Sequence, residues 1–330
     1  MAVNGTSSTS LQKPLVAAGA TSYTGKTIMN AAIPSIPARN PGFTVSGVDM
    51  GDGREPGPLV LASPHSGRDY PQSFLDRTRL TIAQLRRAED AFVDDLFAGT
   101  VGRGVPMVAA RFGRSWLDLN RAEDELDPSM FIEPLDAHPA QRSDRVQGGL
   151  GVLPRVAAHG LDIYPGRIPL AEAAARIISV HRPYHEELGA LLDRARRAHG
   201  FAVLIDCHSM PTPPPVAGGA PQIVLGDLHG VAAAPALVEL IERHFRAAGF
   251  RVARNSPYAG GYTTAFHGQP VSGVHAVQIE VDRALYMDPA RLVRHMGFVR
   301  VTATMTALVE LLLARLPTLG LIPPLAFAAE

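Results

Sequence analysis

Short apolar runs recur along the chain and read as buried strands: Leu59–Ala62, Val105–Ala110, Val203–Ile205, Ile223–Leu225 and Val274–Val281. Between them the apolar spacing lengthens to three and four residues, the period of an amphipathic helix. Thr81–Ala98 sets Ile82, Leu85, Phe92, Val93 and Leu96 on one face, and Leu170–His199, Ala232–Ala248 and Pro289–Leu316 follow the same spacing. Strands alternating with helices predict an α/β domain built on a central mixed, largely parallel sheet flanked by helices. The Pro/Gly-rich stretch Pro211–Pro221 directly follows a strand end. It predicts a loop over the sheet edge, where open α/β folds place their sites. Residues 1–55 are rich in Ser, Thr, Gly, Asn and Pro with weak periodicity. They read as a flexible leader, and 56–330 as a single catalytic domain.

Composition narrows the chemistry. Lys+Arg and Asp+Glu both number 31 in 330 residues, so no global basic field exists to hold nucleic acid or an anionic membrane. An acidic substrate must then be held by a few local cations. One cysteine, Cys207, cannot form an internal disulfide and reads as core. The amino terminus lacks a signal-peptide pattern, and the longest apolar stretch, Thr304–Leu313, is too short to span a bilayer and carries Glu310. A cytoplasmic location follows as the expectation. Residues 20–27 fit a relaxed phosphate-loop pattern. The helix it requires would meet Pro34 and Pro37 almost at once, so the match reads as chance.

The stronger signals stand at strand ends. One apolar run enters Ser63-Pro64-His65-Ser66-Gly67, and another enters Asp206-Cys207-His208-Ser209. Each histidine alone reads as an ordinary hydrogen-bonded residue. Paired in matching contexts, they read as metal ligands converging at one sheet edge, with Asp206 on the same side of its strand as His208 and able to orient it. Glu280 lies inside an apolar strand, where a lone carboxylate is costly. It is either a general base or the partner of a buried arginine such as Arg121 or Arg283. Arg121 beside Asn120 offers a guanidinium fork and amide donors for a substrate carboxylate, or else pairs with Glu123, Asp124 or Glu125. The loop Gly260–Thr264, with Tyr262 and Thr263, could close over a ligand or be a plain turn. Ser66 and Ser209 adjoin histidines, but neither sits in a G-x-S-x-G elbow.

Together these segments resemble the N-formylglutamate amidohydrolase family. The matching pieces run from Ser63–Gly67 through Asp118–Arg121, Asp206–Ser209, Ile223–Asp227 and Gly261–Thr264 to Gln278–Arg283, in the family's order. The resemblance implies kinship with zinc carboxypeptidases and aspartoacylases, hence a zinc-carboxypeptidase-like, phosphorylase/hydrolase-like fold with one zinc ion at the sheet edge. It also implies hydrolysis of N-formyl-L-glutamate to formate and L-glutamate, a step of histidine breakdown. The carboxypeptidase-type H-x-x-E is absent, because Arg68 stands three residues after His65. The resemblance favours Asp90 as the carboxylate ligand, ahead of Asp94 and Asp69. The expected set is then His65, Asp90 and His208 for zinc, Glu280 as general base, and Asn120, Arg121, Tyr262 and Thr263 around a small acidic N-acyl amino acid. A deacylase of another N-acyl amino acid, a peptide amidase, and a metal- or ligand-binding protein with a dead site are the competing readings. The oligomeric state is not predicted.

Overall fold

In the computed structural model the described residues are 42–48, 57–214 and 219–323. Seven strands form one sheet: β1 (Phe43–Ser46), β2 (Leu59–Ser63), β3 (Met107–Ala110), β4 (Ala202–Met210), β5 (Ile223–Gly226), β6 (Val252–Arg254) and β7 (Val274–Asp282), in spatial order β1-β3-β2-β4-β7-β5-β6. Strands β3, β2, β4 and β7 run parallel. β1 lies antiparallel at one edge, and β5 and β6, parallel to each other, oppose β7 at the other. This is the mixed, largely parallel sheet the alternating pattern predicts. The central strands are buried on both faces, which is why they read as unbroken apolar runs.

The two faces carry separate cores. Leu59, Leu61, Val203, Ile205, Cys207, Val277 and Ile279 point to one face, under α2 (Val93–Phe97), α5 (Pro235–Ala247) and α7 (Gly297–Arg315). Cys207 is core there, as expected. Val60, Ala62, Leu204 and Ala276 point to the other face, under α3 (Leu170–Arg176) and α4 (Arg182–His199), which a π-helical turn at Ile177–His181 joins. On this second face the alternation continues toward the strand C-termini with Asp206 and His208 on β4 and Gln278 and Glu280 on β7. The stripe that begins as core therefore ends as a polar site.

The structure departs from the predicted elements where tertiary partners override local pattern. The continuous helix expected over Thr81–Ala98 is two short ones. α1 (Ile82–Arg86) starts on a Thr81/Gln84 capping box, and α2 starts only after Phe92, whose φ is 68°. Between them the Asp90 amide donates to the His65 carbonyl (2.9 Å) and buried Glu89 accepts from the Tyr70 hydroxyl (2.9 Å). The apolar spacing hides this break, because Val93 and Leu96 stay in helical register with the core.

The helix expected from Pro289 begins at Gly297; before it, Met287–Asp288 and Val293–Arg294 form a two-stranded turn. Gly297–Thr318 is long and apolar enough, by length and composition, to cross a membrane. It lays Val301, Met305, Leu308, Val309 and Leu312 into the core, and Glu310 pairs with Arg103. Residues 43–46, inside the stretch read as a leader, form edge strand β1; four residues are too few for alternation to declare a strand. The phosphate-loop-like residues lie outside the described part.

The turn after β2 is pressed against the chain beyond β3. Arg68 and Asp69 amides both donate to the Arg111 carbonyl (2.9 Å each), and a Cβ on Gly67 would stand 2.1 Å from the Phe112 carbonyl oxygen. Backbone on both sides leaves nothing flexible to yield. Gly67→Ala is expected to cost about 1–3 kcal/mol of stability, the usual range for overpacking. A denaturant midpoint unchanged from wild type would show that this turn has slack.

Candidate active site

Three strand-end and loop features bring the expected ligand atoms together. His65 follows β2, His208 is on the neighbouring β4, and Asp90 sits in the break between α1 and α2. One ligand atom from each lies within 4.8 Å of the others, and all three residues are buried. The Asp90 Oδ2 is 2.9 Å from His208 Nδ1 and 3.4 Å from His65 Nδ1. Ligands around a tetrahedral zinc, with bonds of about 2.0–2.1 Å, stand roughly 3.3 Å apart. Asp94 and Asp69 point elsewhere, onto Arg68 (2.6 Å) and Arg111 (2.9 Å).

Each of the three groups is held from behind. His65 Nε2 is 2.7 Å from Asp118 Oδ1, and Asp118 is in turn bound by Arg114 (2.6 Å) and the Asn120 amide (2.9 Å). His208 Nε2 is 2.9 Å from Asp206 Oδ1, whose other oxygen accepts from the Thr264 hydroxyl (3.0 Å). The second oxygen of Asp90 accepts from Arg283 (2.8 Å). With each Nε2 turned outward onto a carboxylate, both Nδ1 atoms face the shared centre, where on deprotonation each would present a lone pair to a cation. His65 Nδ1 is buried and finds no hydrogen-bond partner there. An orphaned imidazole nitrogen facing a second imidazole and a carboxylate fits a divalent cation.

The electrostatics agree. Burial opposes ionisation of Asp90, yet the His208 and His65 imidazoles beside it and the nearby Arg283 charge hold its carboxyl well below the usual range. Burial likewise opposes Asp118, but Arg114 and His65 keep it well below its ordinary value. Burial would lower the His208 imidazole; Asp206 and Asp90 outweigh it and hold it well above.

Glu280 is the Cα partner of His208 across the β4–β7 ladder, so it faces the same centre. Among the described residues no cation lies within 4 Å of it. The Gln278 amide donates to it (2.9 Å), and Arg283 turns instead to Asp90 and Ser209. Burial, with the Asp90 and Asp206 charges, raises its carboxyl to about 7 against the pull of His208. The arginine-pair alternative for Glu280 thus has no counterpart here.

These groups line one cavity of about 140 Å³, roughly ten times the space a single buried water needs. Asn120 and Arg121 line it as expected. Arg121 donates to the carbonyls of Leu150 (2.9 Å) and Asn120 (3.3 Å) and pairs with no carboxylate among the described residues; Glu123 binds Arg182 instead. Asn120 Oδ1 accepts the Thr263 amide (2.7 Å).

Tyr262 and Thr263 do not line the cavity. They open helix α6 (Tyr262–His267), and Tyr262 packs on His185 and Phe266, so the wall is made by Gly260 and Gly261. The Gly260–Thr264 segment is thus a turn into a helix, whose glycines let backbone approach Asn120: a Cβ on Gly261 would sit 2.2 Å from Asn120 Nδ2. Sequence reading passed over Arg114, Arg145, Gln278 and Tyr258, which also line the cavity. Gln278 carried a signal, sharing a strand face with Glu280. Arg145, on a single helical turn (Asp144–Gln147), and Tyr258, in a loop, carried none.

The comparisons with known proteins agree with this geometry. A sequence model of N-formylglutamate amidohydrolases matches residues 57–287. The chain belongs to the N-formylglutamate amidohydrolase family. It is 30% identical over 236 residues to an N-formylglutamate deformylase of Pseudomonas aeruginosa and 29% identical over 238 residues to that of Pseudomonas putida, each covering 70% of this chain and 82% of the relative. The crystal structure of an N-formylglutamate amidohydrolase from Ralstonia eutropha JMP134 superposes with a TM-score of 0.75 at 31% identity, over 83% of this chain and 98% of that one. The fold also recurs in a gene product of Agrobacterium tumefaciens at TM-score 0.57 and 20% identity. Five of the six motif segments contribute residues to the cavity, with Tyr262 and Thr263 set back from it, while Ile223–Asp227 supplies strand β5 beside β7.

Behind the Leu119–Arg121 segment lies a layer of histidines, one helical turn apart on the π-turn and α4. His181 Nε2 donates to the Arg121 carbonyl (2.7 Å) and His185 Nε2 to that of Leu119 (2.8 Å), while His267 Nε2 meets His185 Nδ1 (3.2 Å). Burial lowers all three imidazoles, His267 from 6.5 to about 4. A depressed folded-state pKa means that the unfolded chain binds the proton more readily. The contribution is complete above about pH 6.5 and is lost as pH falls toward 4. His267 alone should account for about 3 kcal/mol across that window. Unfolding titrations of wild type and His267→Gln check this: the variant should lose less stability between the two pH values, and parallel profiles would contradict it.

Proposed function

We propose that this chain is a zinc-dependent amidohydrolase that cleaves N-formyl-L-glutamate to formate and L-glutamate, a reaction of histidine breakdown. The observation that carries the reading is the orphaned His65 Nδ1 facing Asp90 and His208 beside a Glu280 held near neutrality. The substrate name comes from the relatives, and the uncompensated Arg121 in the cavity supports an anionic one.

His65, Asp90 and His208 would hold the cation, which when bound polarises a carbonyl oxygen and acidifies water. The chain's own residues supply the rest. Asp118 and Asp206 take the two Nε2 positions, which leaves Nδ1 of each imidazole to turn to the cation, and Arg283 holds one Asp90 oxygen away from the centre. Glu280 takes the proton of the attacking water and returns it to the leaving nitrogen. Its raised pKa makes it a base near neutral pH and an acid once protonated. Arg121 holds a substrate carboxylate through a planar fork that ammonium cannot reproduce, with Asn120 beside it.

Chelation should abolish formate release, and one equivalent of zinc should restore it. His65→Ala and His208→Ala should lose both metal and activity, whereas Glu280→Gln should keep the metal and lose about 10²–10⁴-fold in turnover. Metal analysis alongside a formate assay separates the outcomes. Full turnover by metal-free protein would discard the cation, and a metal-depleted Glu280→Gln would make Glu280 a ligand.

A further inference from the structure

Four arginines line the cavity: Arg114, Arg121, Arg145 and Arg283. Two are neutralised by the site itself, Arg114 on Asp118 (2.6 Å) and Arg283 on Asp90 (2.8 Å). The other two, Arg121 and Arg145, have no carboxylate within 4 Å among the described residues. Burial disfavours the Arg121 charge, and Arg145 and Arg114 repel it across the cavity, against the pull of Asp118 and Glu125. Such an arrangement is costly in the free protein and is relieved by an anion bound between them.

The pair is mechanically one unit. Arg145 belongs to a short helix, Asp144–Gln147, capped by the Ser143 hydroxyl and anchored by buried Val146. The Arg145 carbonyl accepts from the Leu150 amide (2.8 Å), and the Leu150 carbonyl accepts from Arg121 Nε (2.9 Å). The Asp118 amide then donates to the Val152 carbonyl (2.8 Å), which ties this turn to the loop after β3 that carries Asp118, Asn120 and Arg121. Both guanidiniums are thus placed by one turn, with Arg121 buried and Arg145 exposed at the mouth.

We infer that Arg145 is the specificity-determining residue for the substrate's second carboxylate: Arg121 takes the carboxylate next to the scissile amide, and Arg145 takes the one at the end of the side chain. The inference rests on the hydrolase reading above. It makes the site selective for N-acyl dicarboxylic amino acids over neutral ones of the same shape.

The test compares N-formyl-L-glutamate with its neutral isostere N-formyl-L-glutamine. Both carry the formyl group and the α-carboxylate, and only the first carries the terminal charge. Arg145→Gln should lower kcat/KM for N-formylglutamate about tenfold, the lower end for a charge-assisted contact at a solvated rim. It should leave N-formylglutamine within about twofold. Arg145→Lys should recover part of the loss. Arg121→Gln, by contrast, should depress both substrates together. An equal fall on both substrates in Arg145→Gln, or no fall on N-formylglutamate, overturns the assignment. A wild-type enzyme that turns over neither substrate overturns the hydrolase reading itself, and one that prefers N-formylglutamine overturns only the second-carboxylate site.

Discussion

Everything at the sheet's C-terminal edge depends on how Asp90 is kept ionised out of water. A buried carboxylate is tolerable only if its oxygens are satisfied and its charge is answered. Asp90 meets this with Arg283 on one oxygen and the two imidazoles on the other. Its neighbours face the same problem, since Asp118, Asp206 and Glu280 are buried within the same cluster. Arg114 answers Asp118, and His208 answers Asp206. Glu280 has no cation within 4 Å among the described residues, and burial, with the Asp90 and Asp206 charges, raises its carboxyl to about 7 against the pull of His208. A divalent cation between the imidazoles and Asp90 would complete this balance. It would also draw Glu280 back toward ionisation, which links ligand binding to the readiness of the base.

The scaffold places that cluster through one property of strands. Alternation sends every second residue of β4 and β7 to the same face, and their in-register pairing puts His208 opposite Glu280 and Asp206 opposite Gln278. Helix α4 covers the early part of that face with apolar side chains and leaves the late part to the site. The other face of the same strands stays apolar through Cys207, Ile279 and Val281, and turns polar only at Ser209 near the end of β4. Rigid packing on one side thereby holds polar groups in position on the other.

This also decides what could be read without coordinates. His65, His208 and Glu280 announce themselves because each interrupts a buried run at a strand end. The five strands of that kind were legible for the same reason. Edge strands β1 and β6, of four and three residues, carry too little alternation to be seen. Asp90 was reached only through family resemblance, and the helix expected to carry it is broken there. That break depends on contacts with His65, Tyr70 and Arg283, remote in sequence, to which helical periodicity is blind. Tyr262 and Thr263 share a motif with the cavity glycines, but their side chains leave it, because a motif locates a stretch of backbone and not the direction of each side chain.

The chain's formal charge of zero hides a strongly uneven local field. Four guanidiniums converge on a cavity of about 140 Å³, and their roles separate by what each one touches. Arg114 is bound to Asp118, the carboxylate behind His65, and Arg283 to Asp90 itself, so their charge is already used in holding the site's geometry. Arg121 is bound only to carbonyl oxygens, which orient a guanidinium without cancelling it. Behind it, neutral His181 and His185 hold the backbone of the same segment and add no competing charge. On the proposed function, an acidic ligand would meet positive charge that the fold has positioned without pairing it to a carboxylate among the described residues. Selectivity in such a site would come from which arginines the fold leaves without a carboxylate, rather than from how many it contains.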